Sequence, residues 1–299
     1  MFSKRAKFWL TFLVLLSLSL FMLGACGKKS DEEADSGDED GDEPAGVAYK
    51  PPANLGSITG AINLSGTAPA PQSIDMSADT ACQSKNPNAV AETVVVKNGK
   101  IQNTFVYIKD GSVNGGNRIS GYTFPTPGNP VVLDQVGCHY APHVIGIQVN
   151  QKFQVVNSDQ TAHNINVQPT KGNPPWNVSQ PPSTPPIEKT FARPETLIPV
   201  KCNQHPWMKA FIGVLKHPFF AVSDADGNFT IKDVPPGKYT VVAWHEKFGE
   251  QTMEVTVPDS GAGNAVFTFD SSKTVAELTG GSLELLPALE FPMMMRMQH

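Results

Sequence analysis

Along most of this chain apolar and polar residues alternate in short runs cut by glycine and proline. A period of two puts successive side chains on opposite faces of an extended strand, so each run predicts a half-buried β-strand. Gly56–Gly66 is the first such run, bounded by glycine at both ends. Thr93–Lys97 and Phe105–Lys109 are β-branched and aromatic runs around Asn98-Gly99, a dipeptide suited to a tight hairpin turn because both positions tolerate positive φ. Pro130–Asp134, Val144–Val149 and Lys152–Asn157 follow, the last two parted only by Asn150-Gln151. A short polar turn leads into His163–Val167. Gly172–Pro186 is crowded with proline and asparagine and predicts an irregular loop rather than a strand. Strand character resumes at Lys189–Phe191, Thr196–Lys201 and Lys209–Leu215. From Phe219 to Pro258 the pattern changes: strands flank a turn at Asp226-Gly227, a Pro235-Pro236-Gly237 turn opens an alternating run to His245, and Thr252–Val257 is a further strand. No long stretch carries the 3.6-residue period of a helix. The expected fold class is therefore all-β, built as β-sandwiches.

The ends of the chain read differently. Lys4, Arg5 and Lys7 precede an apolar stretch, Phe8–Leu23, followed by small residues and then polar chain. That is the layout of a signal peptide over 1–25. Leu23-Gly24-Ala25-Cys26 resembles the bacterial lipobox, which implies that Cys26 is acylated and becomes the mature N-terminus; an ordinary signal peptide or signal anchor is the alternative. Two or three acyl chains on one residue anchor stably where a single chain does not. Asp31–Glu43 then holds nine carboxylates and almost nothing apolar. Such a segment cannot bury enough surface to offset its ordering entropy, so 26–53 reads as an acidic disordered tether between membrane and folded body. It also accounts for the net charge of −5: residues 44–299 carry 18 Lys/Arg against 19 Asp/Glu. With no basic stripe and no reader motif, nucleic-acid binding is not expected. The expected location is the cell envelope, lipid-anchored on the periplasmic face or at the cell surface. Gly27 carries no inner-membrane retention signal, which favours the outer membrane.

Candidate chemistry concentrates in Cys202-Asn203-Gln204-His205-Pro206-Trp207-Met208, which places a thiolate, an imidazole and a thioether at even three-residue spacing. His163, entering a strand upstream, supplies a second imidazole. Two His, one Cys and a weak axial Met form the ligand set of a type 1 copper site. Cys202 would end one strand, and the tight loop would return His205 and Met208 to the same point. Pro206 would stiffen the loop and lower the entropy lost on metal binding. Asn164 is a candidate to bond the Cys202 loop and hold the two ligand segments together. Trp207 and Phe211 would either pack the loop or form an apolar docking surface around an exposed edge of His205. Taken singly, Cys202 reads as a small core residue, His163 as structural and Met208 as packing. Of the remaining cysteines, Cys82 and Cys138 are expected to pair, since the compartment permits disulfides. The alternative is a second metal cluster of Cys138, His139 and His143. Met293, Met294, Met295, Met297 and His299 are soft donors in a C-terminal tail over 271–299, or incidental residues of that tail.

Two family resemblances rest on these residues. Pro130–Leu215 resembles a cupredoxin: the Cys202–Met208 loop is similar to the short ligand loop of the amicyanin members, and His163-Asn164 is similar to the family's first His ligand and the Asn after it. This implies a Greek-key β-sandwich holding one type 1 copper per chain through His163, Cys202, His205 and Met208. It also implies electron exchange with a redox protein such as a cytochrome or a dehydrogenase. Asp226-Gly227-Asn228-Phe229 and Val234–Tyr239 resemble the carboxypeptidase regulatory-like, or transthyretin-like, β-sandwich, which implies no catalytic activity. The expected order is a first part of the regulatory-like sandwich over 54–112, a cupredoxin copper domain over 113–217 and the rest of the regulatory-like sandwich over 218–270. The chain has no nucleophile–base arrangement and no second His-rich copper cluster, so it is expected not to be an enzyme. The alternative function is copper storage or delivery without redox turnover; a third is a binding or adhesion lipoprotein whose cupredoxin fold holds no metal.

Overall fold

The computed structural model describes residues 46–275. The signal peptide, Cys26, the acidic tract and Met293–His299 lie outside the described residues. Between those limits the chain is nearly all β. Its first elements are β1 (Val47–Ala48), β2 (Gly56–Ser65), a helix α1 (Thr80–Lys85), β3 (Val96–Lys97), β4 (Lys100–Ile101), β5 (Phe105–Val113) and β6 (Tyr122–Thr123). Next come β7 (Val131–Val136), β8 (His139–Ala141), β9 (Val144–Gln148), β10 (Phe153–Asn157), β11 (His163–Val167), β12 (Trp176–Gln180), β13 (Ile187–Lys189), β14 (Glu195–Lys201) and β15 (Lys209–Leu215). The last are β16 (Phe220–Val222), β17 (Asn228–Val234), β18 (Gly237–His245), β19 (Gly249–Val257) and β20 (Ala262–Asp270).

These strands build two sandwiches. The first has one sheet in the order β17-β2-β4-β3, with β20 also on β2, and a second in the order β16-β5-β18-β19. Its strands come from both ends of the described chain: β2 pairs antiparallel with β17 (Gly60↔Phe229) and parallel with β20 from Ser57↔Ala262 to Ser65↔Asp270. Alternation dictates the inward set. On β20, Gly263, Ala265, Phe267 and Phe269 face in and the residues between them face out. They meet Ile58, Ile62, Ile231, Tyr239 and Val241 in one core.

The second sandwich stacks β13-β10-β7-β8 on β12-β11-β14-β15-β9. Leu133, Phe153, Val155, Ile165, Val167, Ile198, Val200, Ile212 and Val214 fill it, and Cys202 and Met208 belong to the same core. A third apolar cluster, Phe105, Tyr107, Val144, Leu215 and Val242, joins the two sandwiches. Two glycines make that junction possible. Gly146 and Gly213 are register partners on β9 and β15. A Cβ on Gly146 would come within 2.3 Å of the Phe220 ring, and one on Gly213 within 2.5 Å of the Phe105 ring.

The structure corrects the sequence reading at several points. Trp176–Gln180 lies inside the stretch expected to be irregular, yet forms edge strand β12, paired with β11 from His163↔Gln180 to Val167↔Trp176. The prolines flank this run at Pro174, Pro175, Pro181 and Pro182 and leave its own N–H groups free to bond. Residues 47–49, expected within the tether, are docked instead: β1 pairs with β6, and the Tyr49 ring packs on Tyr122, Phe124 and Phe219. Asn98-Gly99 does turn a hairpin, with φ of 53° and 71°, but between the two-residue strands β3 and β4 rather than between the longer runs. Helix α1 has no counterpart in the alternation pattern.

Candidate metal centre

The loop after β14 is closed by its own backbone. The Met208 N–H donates to the His205 carbonyl (2.9 Å), a turn with Pro206 at its second position, where its fixed φ fits. The Cys202 N–H donates to the Met208 carbonyl (3.2 Å), which ties the two ends of the loop. Cys202, His205 and Met208 are buried, while Pro206 is exposed. Met208 sits in the same apolar core as Cys202.

His163, the first residue of β11, is fully buried. Its Nδ1 lies 2.9 Å from Nδ1 of His205, and Nδ1 of His205 lies 3.7 Å from Sγ of Cys202. One donor atom from each of the three lies within 4.8 Å of the others. Asn164 spans the two segments: its Oδ1 accepts the Asn203 N–H (2.7 Å) and lies 3.3 Å from Cys202 Sγ, while its Nδ2 donates to Asn177 Oδ1.

The outer edges of both imidazoles meet carboxylates. His163 Nε2 is 3.0 Å from Asp159 Oδ2, and His205 Nε2 is 3.1 Å from Asp79 Oδ2. A carboxylate only accepts, so each Nε2 carries the proton and each Nδ1 turns inward as a donor toward the centre. Both carboxylates are themselves fixed. Asp159 accepts the Gly137 and Cys138 N–H groups (2.8 and 2.7 Å). Asp79 caps α1 through Oδ1, which accepts the Ala81 and Cys82 N–H groups, and its Oδ2 accepts the Thr161 hydroxyl (2.8 Å).

Two inward lone pairs 2.9 Å apart repel unless a proton or a metal cation lies between them. Without metal, a proton takes that place. Burial opposes charge on His163, yet the hydrogen bonds and negative charges of Asp159 and Cys202 lift its pKa to about 9. Burial raises the Cys202 thiol, but the His163 hydrogen bond and neighbouring N–H groups bring it below its usual value. Burial lowers His205, with the nearby His163 charge adding to the effect. A metal ion could replace that proton if the two nitrogens moved apart, since bonds of about 2.0 Å at a trigonal angle set them about 3.5 Å apart against the observed 2.9 Å. Metal–N bonds of about 2.0 Å and a metal–S bond of about 2.3 Å at a trigonal angle separate N from S by about 3.7 Å. That is the observed His205–Cys202 spacing.

His205 does not present the exposed edge that the docking-surface reading expects. It is 5% exposed. Asp79, the Cys82 sulfur at 3.9 Å and the Trp207 ring at 5.1 Å cover it. The cover is the excursion 72–91, pinned at its neck by hydrogen bonds between Ile74 and Ala89 and between Ala91 and Gln72, and anchored in the core by Met76. Cys82 of α1 is joined to Cys138 in a disulfide. Trp207 packs the loop, its Nε1 donating to the Cys138 carbonyl (3.0 Å). His139 and His143 do not complete a cluster with Cys138. Glu92 lies 3.7 Å from Nδ1 of each, and His143 donates to the Lys209 carbonyl and bonds Glu246. Asp79 and Asp159 are the two site residues absent from the sequence reading. Their signals were an Asp at a helix N-cap position and an Asp four residues before His163.

A family profile, the carboxypeptidase regulatory-like domain, matches residues 210–270. No curated protein matches the chain. Among solved structures, a copper-containing nitrite reductase from Thermus scotoductus overlaps 29% of this chain and 22% of its own, with 26% identity and a TM-score of 0.27. The chain thus spans about a fifth of that enzyme's length. An oxidised amicyanin variant overlaps 28% of this chain and 81% of its own (18% identity, TM-score 0.24). A purple cupredoxin from Nitrosopumilus maritimus overlaps 25% and 81% (22% identity, TM-score 0.22). These are partial likenesses to copper proteins, and the chemistry of the site rests on its own residues.

Proposed function

We propose that this chain is a mononuclear copper protein that passes single electrons in the cell envelope, and that it is not an enzyme. One observation carries the reading: two Nδ1 atoms and one Sγ converge in a buried space, with both Nε2 atoms held by fixed carboxylates. Two nitrogens and a thiolate suit copper in both oxidation states, and bound copper would supply one-electron chemistry. His163, Cys202 and His205 would hold the ion, with Met208, buried in the same core, as a fourth candidate donor. Asn164 and the loop turn at Pro206 would keep the donors in place between the two states. Burial of the three donors would keep water and substrates from a bound ion, which favours outer-sphere electron exchange over catalysis.

The redox partner would be a protein such as a cytochrome or a dehydrogenase. A lipid on Cys26 and the acidic tract would hold the folded body near a membrane. Copper delivery is the second reading. The disulfide-pinned cover over His205 works against it, because cargo must leave quickly.

Copper loading tests the proposal. The expected result is one copper per chain, an intense visible thiolate-to-copper band and a type 1 EPR signal, all lost in Cys202→Ser. A colourless protein, or one that takes up no copper, overturns it. A colourless protein that takes up Cu(I) tightly and yields it quickly to a chelator supports delivery.

A further inference from the structure

The disulfide Cys82–Cys138 is placed where a metal site could form. On one side, Cys82 Sγ, Asp79 and His205 Nε2 group within 4.8 Å; on the other, Cys138 Sγ, Asp159 and His163 do the same. Cys82 Sγ is 3.9 Å from His205 Nε2. The two sulfurs are therefore flanked by two carboxylates and by the outer edges of the two imidazoles whose inner edges face Cys202. A cleft of about 370 Å³ reaches the same point from the surface, lined by Ser84, Lys85, Cys138, Asp159, Gln160 and Thr161.

We propose that, once this disulfide is reduced, Cys82 and Cys138 form a second metal site, for Cu(I), flanked by Asp79 and Asp159. A dithiol reductant entering by the cleft transfers two electrons and two protons. It becomes a disulfide, and the Cys82–Cys138 bond is replaced by two thiols. Cu(I) then binds both sulfurs as thiolates and two protons leave to solvent. Paired thiolates select Cu(I) over harder cations. The sulfurs must part to about 3.7 Å for a four-coordinate ion, a movement of side chains on α1 and on the turn before β8. Asp79 and Asp159 would stay on their imidazoles and N–H groups and act on the site through their charge. The site shares Asp79 and Asp159 with the copper centre proposed above but not its thiolate, so it is tested without Cys202.

The probe is Cu(I) alone, added without oxygen in competition with a chromophoric chelator. The subject is the full chain carrying Cys202→Ser, with remaining free thiols alkylated before reduction so that Cys82 and Cys138 are the only thiols released. The expected result is one more equivalent of Cu(I) bound after phosphine reduction than before it. Donors common to both samples, including the methionines from Met293 onward, cancel in the difference. No increment on reduction overturns the proposal. So does an increment that survives alkylation of Cys82 and Cys138. Wild-type protein run in parallel must show the same increment, which keeps the test valid if Cys202→Ser folds poorly. The visible band of the oxidised wild type reports on the other centre alone, so the two proposals fail separately.

Discussion

His217 and His245 are buried in the first sandwich, away from the metal-ligand candidates. His217 stacks on Phe219 and accepts the Phe219 N–H at Nδ1; His245 stacks on Phe248 and accepts the Lys247 N–H. Burial lowers both, His217 to about 4 and His245, with the charge of His143 adding, to about 3. The unfolded chain titrates near the ordinary 6.5. Below pH 6.5 the unfolded state therefore gains protons that the folded state refuses until about pH 4. Each histidine should cost about 1.4 kcal/mol of stability per pH unit across that window, with nothing lost above it. Urea unfolding from pH 7 to pH 4.5 should show this fall, less steep in His245→Gln; identical slopes would refute the assignment. At the metal centre, single residues differed in how readable they were. Cys202, His205 and Met208 stand out by spacing, because candidate donors in one short loop can reach a common point. Asp79 and Asp159 do not, because an Asp before a helix or a turn caps backbone N–H groups in any protein, and its second bond to a histidine depends on the fold.

At the level of elements, the junction between the sandwiches depends on the glycine pair. Phe105 from β5 and Phe220 from β16 lie against bare backbone at Gly213 and Gly146. Gly213→Ala would drive a methyl group into the Phe105 ring. Overpacking of this kind costs about 1–3 kcal/mol. The expected outcome is a lower thermal midpoint with the visible copper band unchanged, since Gly213 lies on the strand beyond the ligand loop. A shifted band would mean that the junction and the centre are mechanically linked. Most strands were legible because one face is buried and the other wet, which is what alternation records. β12 was not, because flanking prolines masked a run that only its partner β11 reveals. Helix α1 was not, because six residues, with only Cys82 buried, leave no periodicity to read. Its cover over His205 is a tertiary fact.

Across the whole molecule, the chain leaves the first sandwich after β5, builds the second, and returns at β16, which pairs back onto β5 (Phe220↔Tyr107, Val222↔Phe105). The shared cluster around Phe105 and Val242, and the His143–Glu246 contact, add non-covalent ties. A body connected this way should unfold as one cooperative unit. Calorimetry should give a single transition that coincides with the loss of near-ultraviolet circular dichroism; two separated transitions would show that the sandwiches hold independently.

The pairing of β2 with β20 also sets a timetable. The Ser65 hydroxyl donates to the Phe269 carbonyl, 204 positions later. A chain delivered from its N-terminus can pair β2 with β4 early, but the side of β2 that takes β20 stays open until almost all of the described sequence has arrived. The second sandwich and its cover are complete by residue 217. The candidate donors are thus assembled while the supporting sandwich is still an open edge. A chain interrupted anywhere between β16 and β20 would be left with a finished centre on an unfinished foundation.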